Sequence, residues 1–222
     1  MTLAHKLFTT VNPSILDESG RVFCSGRAAF GSECDLYILG FNPGGDPNSM
    51  EESSVRAHSR YVLHDAPDLW SAYSDESWKG RPPGQHGMQP RMLHLFERLG
   101  HDPRGVPASN LIFKRAPRAA QLEGDARVIE DLCWQFHAAV LAELRPKVVL
   151  CLGNQTGERV RRRLGADHLV GQFVEANLRR WMSTAHRSRS GLTVVSLTHP
   201  SIADWTNPAS DPTPLVREVM AE

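Results

Sequence analysis

The segment Leu36-Tyr37-Ile38-Leu39-Gly40-Phe41-Asn42-Pro43-Gly44 joins a short apolar run to a loop of glycine, proline and asparagine. Similar apolar runs occur at residues 109–113, 148–152 and 192–197, and segments with helical spacing lie at residues 88–99, 126–144 and 155–164. Strands that alternate with helices predict an α/β fold with a central, mostly parallel four-stranded sheet. A ligand of such a sheet binds at the carboxyl ends of the strands, where these loops lie.

The length and composition favour a single domain over residues 1–222. Hydrophobic residues make up 41% of the chain and charged residues 23%, as in ordinary globular proteins. No window reaches the roughly 18 apolar residues of a membrane span, and the N-terminus lacks the apolar centre of a signal peptide. We therefore expect a cytoplasmic protein without a membrane partner, associated with the nucleoid in a prokaryote. Residues 46–90 are interpreted as a long functional loop or an insertion with one short helix.

The charge balance gives no simple argument for a nucleic-acid partner, because the chain has 25 basic and 25 acidic residues and no net charge. All but four of the basic residues are arginines, and several cluster at residues 159–163 and 179–189. The cluster at residues 159–163 is either a solvated helix face or a local site for phosphate, and the cluster at residues 179–189 either binds phosphate or forms a mobile surface hairpin with no partner.

Three polar side chains stand out beside the predicted strands. Asn42 can both donate and accept hydrogen bonds in a loop that the neighbouring glycines open to a ligand. Asn110 lies inside an apolar run and is either a core amide with satisfied hydrogen bonds or a reader of a base. The second alternative rests on the donor and acceptor of one amide, which complement N3–H and O4 of uracil. His199 precedes a proline at the end of the last run.

The order of four motifs resembles the uracil-DNA glycosylase superfamily. Gly40-Phe41-Asn42-Pro43-Gly44 is similar to its first motif, in the GxNPG form of the mismatch-specific branch, and Thr198-His199-Pro200-Ser201 to its second, in the His-Pro-Ser form. Asn110 resembles the pyrimidine-reading asparagine of the iron-sulfur branch, and residues 144–153 resemble the Arg-Pro-x-Val strand of that branch. The resemblance spans residues 35–205.

This resemblance implies a three-layer α/β/α fold and hydrolysis of the bond between an altered base and deoxyribose in DNA, after the nucleotide is flipped out. His199 would donate to the base oxygen, and Asn42 would orient water. The remaining implied site residues bind the base (Gly40, Phe41, Pro43, Gly44 and Asn110) or contact DNA (Pro200, Ser201, Ile202, Arg187 and Arg189). Asn42 cannot take a proton, so slow turnover is expected, and Asp46 is either a substitute base or a turn residue.

The cysteines depart from the iron-sulfur branch. Cys24, Cys34, Cys133 and Cys151 contain no CxxC pair, and Arg115 stands where one cluster cysteine is expected. We therefore expect no metal cluster and no other cofactor.

The residues that stack on the flipped base and fill the gap in DNA are also unassigned. The candidates for the stacking aromatic are Trp70, Tyr73, Trp78 and His86. The candidates for the wedge that fills the gap are Ile202 and Trp205.

Two other functions remain open. One is a base-binding or nucleic-acid-binding member of the same fold that has weak or no activity. The other is a hydrolase of small nucleosides, which would cleave deoxyuridine as readily as DNA. In each case we expect a monomer.

Overall fold

The computed structural model describes residues 1–49, 53–122 and 125–221 and shows an α/β protein with one mixed sheet. The strands are β1 (Leu36–Gly40), β2 (Ala108–Asn110), β3 (Val148–Leu152), β4 (His168–Val174), β5 (Met182–Arg187) and β6 (Thr193–Leu197). Their order in the sheet is β2-β1-β3-β6-β5-β4. The helices are α1 (Leu3–Phe8), α2 (Val55–Arg60), α3 (Gln89–Leu99), α4 (Ala126–Leu144), α5 (Asn154–Leu164) and α6 (Thr213–Ala221).

The four predicted strands form the parallel part of the sheet, β2-β1-β3-β6. All residues of β1, β3 and β6 are buried. This burial explains their continuous apolar runs, which are typical of parallel strands covered on both faces. The predicted bounds of β1 and β3 are confirmed, whereas the ladder of β2 ends at Asn110, opposite Gly40, and is shorter than the predicted strand.

The predicted strand number of four is wrong, because β4 and β5 extend the sheet to six strands as an antiparallel hairpin beside β6. Every residue of β4 is exposed or half-buried. In β5 the buried side chains are the small ones of Ser183 and Ala185. Neither strand therefore contains the apolar run by which the other strands are recognised.

Helix α5 packs on β3 and β6 through a glycine. A Cβ at Gly157 would lie 1.8 Å from Oγ of Ser196, so a side chain there would push the helix away from the sheet. α3 and α5 end at Gly100 and Gly165, both in the left-handed conformation that glycine favours at helix ends. In the described part of the chain, no helix combines the length and the apolar character needed to cross a bilayer.

Candidate active site

The predicted site loops share one edge of the sheet. β1 leads into Phe41 and Asn42, β2 ends at Asn110, β3 leads into Gly153, and β6 leads into Thr198 and His199. Because these strands are parallel, their carboxyl ends lie side by side. The backbone joins neighbouring loops: the amide of Leu111 donates to the carbonyl of Gly40 at 2.8 Å, and that of Gly153 donates to the carbonyl of Leu197 at 2.9 Å.

The hydrogen bonds of His199 select one tautomer of its ring. The backbone amide of Ser201 donates to Nδ1 at 3.1 Å, and the Ser201 hydroxyl lies 2.7 Å from the same atom. An atom that accepts an N–H bond carries no proton, so the neutral ring holds its proton on Nε2. Burial lowers the pKa of His199 from 6.5 to about 4. At neutral pH the residue is therefore an uncharged Nε2–H donor.

Asn42 is half-buried and is held by its amide nitrogen. Nδ2 donates to the carbonyl of Pro43 at 2.8 Å and to that of Ala116 at 3.0 Å. Both bonds engage the donor end of the amide, so Oδ1 is the end that can accept a bond from water or substrate.

Asn110 is almost completely buried and lies against Gly40. A Cβ at Gly40 would be 2.5 Å from Oδ1 of Asn110, which explains the glycine at the end of β1. Nδ2 of Asn110 donates to Sγ of Cys24 at 3.5 Å. Asn110 therefore has a weak sulfur partner, and a ligand oxygen would be a better acceptor.

Two arginines outside the first motif contact its other residues. Phe41 and Pro43 are buried, and the guanidinium of Arg159 lies over the Phe41 ring, 5.6 Å from its centre. Nη1 of the buried Arg115 donates to the carbonyl of Gly44. Arg115 thus holds the loop after β1, a role that its place in the sequence did not indicate.

The second motif is equally well anchored. Pro200 is buried, and its carbonyl accepts a bond of 2.5 Å from Nη1 of Arg91. Ile202 is 57% exposed, and its carbonyl accepts a bond of 2.7 Å from Arg179. Trp205 is fully buried, so it does not fit the role of a wedge, whereas Ile202 remains a candidate.

A cleft of about 240 Å³ opens beside His199. Its lining residues are Gly153, Asn154, Trp181, Thr198, His199 and Ile202. Asn42 and Asn110 do not line this cleft, because they lie across β3, on the side of β1 and β2. Trp181 directly precedes β5, and no apolar run in the sequence marks this segment as part of the sheet.

Arg187 and Arg189 do not flank His199. Arg187 pairs with Thr193, the first residue of β6, whereas His199 follows the last. The two arginines line a separate cleft of about 260 Å³ at the opposite edge of the sheet, where β6 begins and β5 ends. The other lining residues of this cleft are Gly165, Asp167, His168 and Ser188. The expectation that they hold phosphates beside a flipped nucleotide does not fit this placement.

The arginines of residues 159–163 form ion pairs within the chain. Arg159 and Arg163 both bond the buried carboxylate of Glu130, while Arg161 pairs with Asp167 and Arg162 with Glu158. These pairs favour the interpretation of an ordinary helix face.

The other sequence candidates have structural partners. Trp70 and Tyr73 are buried, and Trp78 donates to Glu76 at 2.9 Å. Asp46 accepts a bond from the amide of Asn48 at 2.9 Å, as a turn aspartate does.

The cysteines are free thiols, and Cys133 accepts a bond from the amide of Phe113. Across the described ranges, no three histidine, cysteine or acidic side chains lie together in a way that would hold a metal ion.

A scan of the sequence against protein-family models and a search of curated proteins find no match. The function is therefore inferred from the motifs and from the positions that the fold gives them.

Proposed function

We propose that this protein is a DNA N-glycosylase that hydrolyses the bond between deoxyribose and uracil or another deaminated base. The observation that carries the proposal is the uncharged Nε2–H donor of His199 at the carboxyl edge of the sheet, two strands away from the loop of Asn42. In this proposal the helices cover both faces of the sheet in three layers, and the protein acts as a monomer in the cytoplasm or nucleoid.

The proposed reaction needs a donor for the leaving base and an oriented water. The oxygen of water bonds to C1′ of the sugar, and the bond from C1′ to the base nitrogen breaks. The electron pair leaves with the base, whose oxygen accepts a hydrogen bond from Nε2 of His199. A neutral donor that is already in place stabilises this charge as it develops. The water loses its proton to solvent.

Asn42 orients the water rather than deprotonating it. Its Nδ2 is fixed by two carbonyls, so Oδ1 has a defined direction and can accept a bond from the attacking water. An amide cannot act as a general base, and the reaction forgoes roughly 10²–10⁴-fold in rate on that account. We therefore propose slow turnover.

Asn110 is the proposed reader of the base. It lies on the strand next to β1, and its amide offers one donor and one acceptor side by side. Exchange of the Cys24 sulfur for a carbonyl oxygen of the base would strengthen the bond from Nδ2.

A base-binding protein without activity is the second candidate. The observation in its favour is that Asn42 has no titratable group and lies outside the cleft of His199. This candidate predicts binding of DNA that contains uracil or an abasic site, without release of a base.

The test is incubation with labelled oligonucleotides that contain uracil, hypoxanthine, xanthine or a G·T mismatch, followed by alkaline cleavage of abasic sites. We expect a cleaved product that His199→Ala and Asn42→Ala reduce by at least roughly 100-fold. His168→Ala is the matched control, since His168 lies at the opposite edge of the sheet and should retain activity. Absence of product from the folded wild-type protein on every substrate would exclude the glycosylase and favour the second candidate.

A further inference from the structure

The cleft beside His199 extends from the end of β3, at Gly153 and Asn154, to Trp181 before β5, and neither Asn42 nor Asn110 lines it. In the strand order, β1 and β2 are on one side of β3, while Trp181 directly precedes β5, on the far side of β6. Neighbouring strands are about 4.8 Å apart, so the loop of Asn42 and the cleft wall at Trp181 are separated by about 14 Å along the sheet edge. This spacing leaves room for two positions, one next to Asn42 and one in the cleft.

The cleft is built around an aromatic ring that is held in place. Trp181 is 37% exposed, and the guanidinium of Arg179 lies over its indole, 4.3 Å from the ring centre. Arg179 also donates to the carbonyl of Ile202 and pairs with the buried Glu175 at 3.2 Å. The hairpin and the second motif are thereby joined. A ring fixed in this way loses little conformational freedom when a ligand stacks on it.

Besides His199, two polar side chains line the cleft, and one of them lacks a hydrogen-bond partner in the part of the chain that the structure describes. Thr198 is 3% exposed and lines the cleft, and its Oγ1 has no hydrogen-bond partner within the described residues. A buried hydroxyl without a partner destabilises the folded protein. Asn154 donates through Nδ2 to the carbonyl of Met182 at 3.3 Å, so its Oδ1 can accept.

The surface next to the cleft combines exposed apolar and basic side chains. Leu178 and Met182 are 104% and 45% exposed, and Arg180 is exposed beside them. Apolar groups exposed together in a monomer mark a binding surface, and the arginine suits an anionic partner.

We propose that this cleft is a subsite for the nucleobase next to the excised one, with Trp181 as its stacking platform and Thr198 as its hydrogen-bonding wall. The inference rests on the proposed function and adds dependence on the neighbouring base. The cleft volume of about 240 Å³ suits one planar ring. It lies just below the roughly 300–1,000 Å³ of pockets for larger ligands.

The test measures binding, so it does not depend on base release. Single-stranded oligonucleotides carry a tetrahydrofuran abasic analogue at the target position, and the neighbour on the 5′ or the 3′ side is either a base or a second analogue. Affinity is measured by fluorescence anisotropy at fixed salt. On one side, we expect the wild-type protein to bind the base-containing neighbour about 5- to 100-fold more tightly, the range expected for stacking of one base.

Variants assign that preference to the cleft. Trp181→Ala should abolish it, Trp181→Phe should keep most of it, and Thr198→Val should change the ranking of the four neighbouring bases. Trp134→Ala is the matched control, because its indole likewise lies under an arginine, Arg163, at 4.9 Å, but in α4.

The outcomes separate this subsite from the proposed function. A wild-type protein without a neighbour preference, or a Trp181→Ala variant that keeps the preference, overturns the subsite even if bases are released. A preference that depends on Trp181 without base release from any substrate supports the subsite and rejects the hydrolase.

Discussion

Gly153 lies beside His199, because a Cβ added at Gly153 would be at van der Waals distance from the imidazole, 3.4 Å from Cδ2 and 3.6 Å from Cβ of His199. Gly153 has φ +100° and ψ 141°, a conformation that residues with a side chain rarely adopt. The turn after β3 is therefore next to the imidazole. Gly153, which follows β3, and the donor His199, which follows β6, are thus neighbours at the carboxyl ends of adjacent strands.

Gly153→Ala should impair base release more than it impairs folding. The backbone conformation of Gly153 costs an alanine roughly 1–3 kcal/mol, and relief of this strain would shift the turn beside His199. We expect a loss of at least about 10-fold in rate, measured in single-turnover base release, with stability measured in urea. Gly165→Ala is the control, since Gly165 also has positive φ but no atoms within 4 Å of its added Cβ. Equal loss of activity in both variants would contradict a local role.

The rate of base release should fall only in strongly acidic solution. Burial lowers the pKa of His199 to about 4, so the ring stays neutral as the pH falls from 8 to 6 and becomes charged near pH 4. Protonation of Nδ1 would break the bond from the Ser201 amide. We expect a flat profile at neutral pH and a midpoint near 4, measured by single-turnover kinetics with circular dichroism as a check of folding. A midpoint near the ordinary value of 6.5 would show that the active ring is solvated.

Asn42→Asp should slow the enzyme even though it supplies a carboxylate. Nδ2 of Asn42 faces the carbonyls of Pro43 and Ala116, and a carboxylate oxygen in its place would oppose both. The lost bonds and the repulsion should cost about 1–3 kcal/mol of stability. Thermal unfolding and the rate of uracil release measure the two effects. A rate above that of the wild-type protein would mean that the loop rearranges and the carboxylate acts as a base.

Glu130→Ala should destabilise the protein without weakening DNA binding. The Glu130 side chain is 4% exposed and bonds both Arg159 and Arg163, whose side chains are 30% and 24% exposed. Loss of a buried partner costs roughly 3–5 kcal/mol, and we expect the lower end because these arginines are partly solvated. Glu158→Ala removes the exposed pair with Arg162 and should change the free energy of unfolding by less than about 1 kcal/mol. A large effect on DNA affinity would assign this arginine cluster to the nucleic acid.

The parallel part of the sheet can be predicted from the sequence because its strands are buried on both faces. Leu36–Gly40 and Val148–Leu152 read as uninterrupted apolar runs, and the polar residues after them fall at one edge by topology alone. The adjacency of Gly40 and Asn110 depends on the strand order, and the apolar runs do not predict that order.

The hairpin of β4 and β5 cannot be predicted in the same way. Its inward-facing residues are small, and its register shifts between Leu169 and Gly171, which interrupts the alternation of a half-buried strand. Trp181 and Arg179 therefore appear in the sequence as loop residues. Arg187 and Arg189 are close to them in sequence, but β5 carries the chain to the opposite edge of the sheet.

This separation of the arginines makes DNA binding a direct test of which edge faces the nucleic acid. Arg180 is exposed in the turn beside the His199 cleft, whereas Arg189 lies at the far edge. Each phosphate contact contributes about one unit to the dependence of log affinity on log salt concentration. Arg180→Gln should therefore weaken binding of abasic duplex DNA and reduce that slope by about 1. Arg189→Gln removes the same charge and should change neither the affinity nor the slope. Both quantities are measured by anisotropy titrations between about 50 and 200 mM salt, a range over which phosphate contacts change the affinity strongly. The reverse pattern would place the DNA at the opposite edge and separate it from His199.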